Sequence, residues 1–173
     1  YPKRSLSQAV RPEMEALARE TGESVNLAVP LGREALYLDQ VEGTKLVRLF
    51  TAPGSRAPLH ATGVGKVFLA YLGVPEGLSL TPYTPHTLTR LPDLLRELEA
   101  VRGRGYALDN EEKELGVRCV AAPVFGASGG VVAALSLSAP ASRLSLEEAH
   151  RLAPRVVEAA RRASLRLGYT GEV

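Results

Sequence analysis

The stretch that decides the fold is "VRCVAAPVFGASGGVVAALSLSA", residues 117 to 139. Two apolar runs flank "GASGG", residues 126 to 130. Each run is rich in Val and small residues, is about the length of a strand, and ends at glycine, so the pattern predicts a pair of antiparallel strands joined by a hairpin. "GASGG" also matches G-x-S-x-G, with Ser128 in the nucleophile position. A hydrolase needs that serine on a turn from strand into helix. Here both flanks read as strand, so glycine and serine are the expected turn residues.

Period-two alternation puts Val117, Cys119 and Ala121 on one face of the first strand. In the second strand Ala134, Ser136 and Ser138 share a face, and Leu135 and Leu137 share the other. A face of alanine and serine within so apolar a segment leaves room, and its hydroxyls need partners. Facing a cavity, it suits a small polar ligand; facing a packed helix, it suits close contact.

Upstream, "YALDNEEKELG" predicts a short strand and an acidic turn, and "LPDLLRELEAVRGRG" a helix with Leu91, Leu94, Leu95 and Leu98 on its buried side. Residues 75 to 90 carry three prolines and show no clear period. "RPEMEALARETGES" predicts a helix with Pro12 at its first position and Gly22 after its end. "SVNLAVPLG" alternates, with Val25, Leu27, Val29 and Leu31 on one face, and Pro30 marks an edge or a strand end. "EALYLDQVE" predicts a second strand and "KLVRLF", residues 45 to 50, a third, followed by a Pro/Gly/Ser-rich loop over 51 to 60. Downstream, Ser145 and Glu148 form a capping box for a final amphipathic helix with Ala149, Leu152, Val156, Ala160 and Ala163 at helical spacing. Pro154 in its interior predicts a kink or a late start. Helices before, within and after one mainly antiparallel set of strands make an α+β domain.

"LHATGVGK", residues 59 to 66, imitates the end of a phosphate-binding loop. The full motif needs glycine where His60 stands and a hydroxyl where Val67 stands, so it fails at two fixed positions. A dinucleotide fingerprint fails as well, because Phe68 replaces its third glycine. What remains is a helix start with Thr62 as N-cap, where Gly63 and Gly65 permit close approach. Such a start suits a carboxylate or close packing on a sheet.

Composition bounds the rest. The chain has 173 residues, 45% hydrophobic and 23% charged, and a net charge of +2. That is an ordinary globular domain without the charge of a nucleic-acid surface. One cysteine, Cys119, excludes an internal disulfide and fits a reducing cytoplasm. No apolar run reaches the roughly 18 residues of a membrane span. His60, His86, His150 and Cys119 lack ligand spacing, so no metal is expected, although Cys119 among carboxylates leaves that option open. No cofactor is called for.

Four stretches together resemble the effector-binding domain of IclR-type bacterial transcriptional regulators: "GESVNLAV", "PLHATGVGKVFLAYL", residues 104 to 144, and the closing helix. The resemblance implies a GAF-like fold with helices on both faces of a curved sheet. It also implies that an N-terminal winged helix-turn-helix carries DNA binding in the full protein. Residues 1 to 10 would then be the tail of a linker helix, residues 11 to 173 the effector domain, and the lack of a starting methionine the mark of a fragment. A homodimer or tetramer and a cytoplasmic location are expected, and the effector is a small organic acid or aromatic compound. By resemblance, Gly63 and Val64 lie where the helix start meets the ligand's carboxylate. Leu46 and Leu49 supply apolar wall, and Asp109, Val117, Cys119, Ser136 and Ser138 line the sheet side. The rival reading is a small hydrolase or thioesterase using Ser128 or Cys119. A plain dimerisation domain with its cavity filled by side chains is the third.

Overall fold

We describe a computed structural model of the chain over residues 3–45 and 51–171. Its elements run α1 (Lys3–Thr21), β1 (Ser24–Leu31), β2 (Glu34–Val41), β3 (Arg56–Pro58), α2 (Gly63–Leu72), α3 (Leu91–Arg104), β4 (Ala107–Asn110), β5 (Val117–Phe125), β6 (Val131–Pro140) and α4 (Leu146–Arg166). The strands form one antiparallel sheet in the order β3-β2-β1-β6-β5-β4. It is the α+β architecture, with helices on both faces, that the sequence predicts.

Alternation along each strand sends its two sets of side chains into two different cores. Val25, Leu27, Val120, Leu135 and Leu137 meet residues of α1 and α4 on one face. Ala28, Ala107, Ala121 and Ala134 meet α2 on the other, and α3 adds Leu94, Leu98 and Val101 to that cluster. The first face carries branched side chains under long helices. The second carries alanines, so α2 lies close against it.

The β5–β6 hairpin forms as expected. The Gly126 amide donates to Gly130 O at 2.9 Å, and that of Gly129 to Gly126 O at 3.0 Å. Pro30 also sits where a missing donor is tolerated. β1 pairs with β6 only over Ser24–Ala28, so Pro30 has a partner on its β2 side alone.

Several expectations are corrected. Pro12 is not the first residue of α1; the helix begins at Lys3 and carries Pro12 inside it. Leu6, Val10, Met14 and Leu17 make the buried stripe, while Pro12 and Gln8, four residues before it, are exposed, so the carbonyl left without a donor faces water. Pro154 likewise lies on the exposed side of an α4 that runs from Leu146, so there is no late start. In α3, Leu91 and Leu95 are about half exposed. Its buried stripe is Leu94, Leu98 and Val101, a narrow seam that excludes the neighbouring leucines. Leu31 is exposed at the end of β1. The predicted strand over 45 to 50 lies outside the described residues from position 46 onward. A short strand, β3, occurs instead within the loop expected over 51 to 60.

Candidate functional site

Register builds the site. On the α2 side of the sheet, Asp109, Cys119 and Ser138 stand opposite one another in a row across β4, β5 and β6. The next row is Ala107, Ala121, Ser136, Asn26 and Gln40. The first turn of α2 covers this second row. A Cβ on Gly63 would come within 3.1 Å of the Ala121 Cβ, and one on Gly65 would overlap the Leu59 backbone. Thr62 caps that turn, accepting from the Gly65 amide at 3.0 Å and donating to Pro58 O at 2.8 Å. The helix therefore begins one row short of Asp109, Cys119 and Ser138, and a cavity of about 130 Å³ opens over them.

Among the described residues, the cavity floor is Asp109, Val117, Cys119 and Ser138. Its walls come from Tyr37 and Thr51, from Arg56 and Ala57 around β3, and from Lys113 and Glu114 in the loop after β4. The volume admits several waters or a small organic acid. Polar groups on the floor are chained together. Gln40 Nε2 donates to Asn26 Oδ1 at 3.0 Å and to Thr51 O at 3.0 Å. Asn26 Nδ2 reaches Ser138 Oγ at 3.5 Å, and Ser138 Oγ lies 3.1 Å from Cys119 Sγ.

Asp109 is 4% exposed. Its Oδ1 accepts from the Glu112 amide at 2.7 Å and the Lys113 amide at 3.4 Å. Burial nevertheless pushes its carboxyl up to about 7, with the charge of Glu112 adding to the effect and Lys66 opposing it. Burial, reinforced by Asp109, also raises the Cys119 thiol, which therefore stays protonated. Burial raises the Tyr37 phenol in the same way.

Behind the floor lies a buried ion pair. Lys66, in α2, donates to both Glu112 oxygens at 2.8 and 3.0 Å, and Glu112 also accepts from the Asn110 amide at 3.0 Å. The two side chains are 1% and 9% exposed. The lysine that imitates a phosphate loop in the sequence is thus a clamp between α2 and the β4–β5 loop.

The expected site residues divide in four. Asp109, Val117, Cys119 and Ser138 meet at the cavity. Ser136 is 2% exposed on the same face, one row further under α2. Gly63 and Val64 are buried at the helix start rather than in the wall, and Leu46 and Leu49 lie outside the described residues. Sequence reasoning missed Tyr37, Thr51, Arg56 and Lys113 on the walls and the Lys66–Glu112 pair behind them. No periodicity marks these, because they reach the site from separate elements.

Among the described residues, the side chains of the rival hydrolase reading stand apart from one another. Ser128 is exposed on the hairpin turn. His60 Nε2 is bound to Thr81 O at 2.8 Å, and His150 Nδ1 to Tyr106 Oη at 2.7 Å. A half-buried thiol whose pKa is raised is the wrong state for a nucleophile. Among the described residues, no group of three or more His, Cys, Asp or Glu is placed to hold a metal ion. Among the same residues, no helix is long and apolar enough to cross a membrane.

The fold is that of the C-terminal domain of a family of bacterial transcriptional regulators. The family described as "Bacterial transcriptional regulator IclR C-terminal" matches residues 2–165, and the chain belongs to it. It is 39% identical over 165 residues to the HTH-type transcriptional regulator BhcR of Paracoccus denitrificans, covering 92% of this chain and 59% of BhcR. The chain therefore spans somewhat over half the length of that relative. The crystal structure of Thermotoga maritima IclR superposes with a TM-score of 0.87 at 35% identity, covering 98% of this chain and 70% of that one. The inducer-binding domain of the Acinetobacter transcription factor PobR, a double mutant in complex with 3-hydroxybenzoic acid, superposes with a TM-score of 0.82 at 26% identity, covering 91% and 96%.

Proposed function

We propose that this domain senses a small carboxylate, an organic acid or a hydroxylated aromatic acid, in the cavity above Asp109, Cys119 and Ser138. The observation that carries the reading is a polar row left uncovered on an otherwise apolar sheet face, under about 130 Å³ of open space. Ser138 supplies a hydroxyl, and Asp109 a carboxyl, to the ligand's polar atoms. Val117 and Tyr37 give it an apolar border. Ser136 supports the floor from the next row. The amides of Gly63 and Val64, which Thr62 does not cap, bias the helix start toward an anion. PobR, with its bound 3-hydroxybenzoic acid, supports an effector of that size and charge.

In the whole protein, DNA binding belongs to an N-terminal winged helix-turn-helix, joined by a linker whose tail is residues 1 to 10. The domain assembles as a homodimer or tetramer in the cytoplasm. A ligand alters DNA affinity there only by favouring one arrangement of the subunits.

Calorimetric titration with small carboxylates tests the reading. Ser138→Leu fills the cavity floor and is expected to weaken a confirmed binder at least tenfold. Unchanged affinity in that variant would put the effector elsewhere.

A further inference from the structure

Two negative groups cannot share so small a cavity unless one of them is neutralised. Asp109 therefore decides which anions enter. Resting on the sensor reading above, we propose that Asp109 couples effector binding to proton uptake: a carboxylate effector binds only to the protonated acid, which donates from Oδ2 to a carboxylate oxygen of the ligand. Each bound anion then brings one proton from solvent. No covalent bond forms or breaks beyond that protonation.

The geometry assigns the proton to one oxygen. Oδ1 is held by the Glu112 and Lys113 amides, whose N–H groups can only donate. Among the described residues no protein donor reaches Oδ2, and Asp109 lines the cavity. A neutral acid oriented this way offers one O–H in the direction from which a ligand arrives. This also resolves why an acid stands in a pocket built for anions.

The surrounding charges leave the proton where it is needed. Lys66, from α2, is committed to both oxygens of Glu112. Glu112 itself is negative and favours the protonated form of its neighbour. Cys119 from β5 and Tyr37 from β2 keep their protons. Arg56, across the cavity on β3, pairs with Glu34 at 3.5 Å. In the β4–β5 loop, Lys113 sits over the Tyr83 ring at 4.9 Å, and Glu114 lines the cavity beside it. None of these gives Asp109 a direct cationic partner. Burial has already brought its carboxyl up to about 7, so the uptake falls in the physiological range.

The test uses the full chain, with 3-hydroxybenzoate, benzoate and propionate as probes. For a group titrating near 7, affinity is expected to be about tenfold weaker at pH 8 than at pH 6. Binding heats at pH 8, compared in Hepes and Tris, are expected to give about 0.9 proton taken up per bound anion. Asp109→Asn keeps the shape and a donor, and is expected to bind with neither pH slope nor proton uptake. Binding without uptake in the native chain, or an unchanged pH slope in Asp109→Asn, overturns the proposal while leaving the sensor reading intact. Absence of binding by all three probes at both pH values overturns the sensor reading and this one with it. Carbon NMR of the Asp109 carboxyl in the free chain provides a check that needs no ligand. A midpoint near 7 supports the proposal, and one near 4 overturns it.

Discussion

At the scale of single residues, the site is made by what is small and what is buried. Gly63 lacks the Cβ that would push α2 away from Ala121, and that contact fixes how far the helix reaches over the sheet. Asp109 shows the price of burial. Its folded carboxyl titrates near 7, above the value of about 3.9 for an exposed aspartate. The folded chain therefore binds more protons than the unfolded chain between roughly pH 4 and 7, and stability falls as pH rises through that window. Below about 4 both states are protonated and the penalty vanishes; above about 7 it is complete. Asp109→Asn removes the titration and keeps the acceptor for the Glu112 amide. The variant is expected to gain on the native chain by up to about 4 kcal/mol between pH 4 and 8. Urea denaturation at the two pH values measures this, and parallel curves would contradict it.

Between elements, one buried ion pair joins α2 to the β4–β5 loop that carries Lys113 and Glu114 to the cavity wall. Removing one partner strands a charge in the interior, which costs about 3–5 kcal/mol, while replacing both by apolar groups often costs little. Lys66→Met is therefore expected to lose about that much stability, and Lys66→Met with Glu112→Leu to recover most of it. A loss below about 1 kcal/mol in the single variant would remove the pair from the account of what holds the loop. Regular periods made the elements readable. The β5–β6 hairpin and α4 with its Ser145 cap follow their patterns, and Ser145 accepts the Glu148 amide at 3.1 Å. Half of the box differs, because the Glu148 carboxylate pairs with Arg151. Leu91 and Leu95 are about half exposed despite their spacing, because leucine alone does not tell which side of a helix meets a neighbour.

Across the whole molecule, the proposed effector binding would be linked to folding. A binder that recognises only the folded chain, at a hundred times its Kd, adds about 2.7 kcal/mol of stability. For a domain of this size that raises Tm by about 5–10 °C. The shift is expected in the native chain by thermal melting and is expected to vanish in Ser138→Leu. A shift that persists there would mean that the stabilising molecule sits in another part of the fold. The two-faced sheet gives one small domain both a continuous core and a cavity. Branched side chains under α1 and α4 supply the continuous core, and the alanine and serine face is free to leave a space.

Resemblance to known regulators pointed to the family; the sequence by itself determined the hairpin, the division of β5 and β6 into a leucine face and a small polar face, and most of the elements, though not β3. These are local patterns, and each repeats within a single strand or helix. Cys119 and Ser138 were within reach for the same reason, lying on strands whose alternation is plain, whereas Asp109 came only from the family resemblance. Only the tertiary structure decided that α2 stops one row short of them, that Lys66 meets Glu112, and that burial leaves Asp109 holding a proton near neutrality. Those outcomes depend on which atoms from distant parts of the chain exclude water from one another, and no local spacing encodes that.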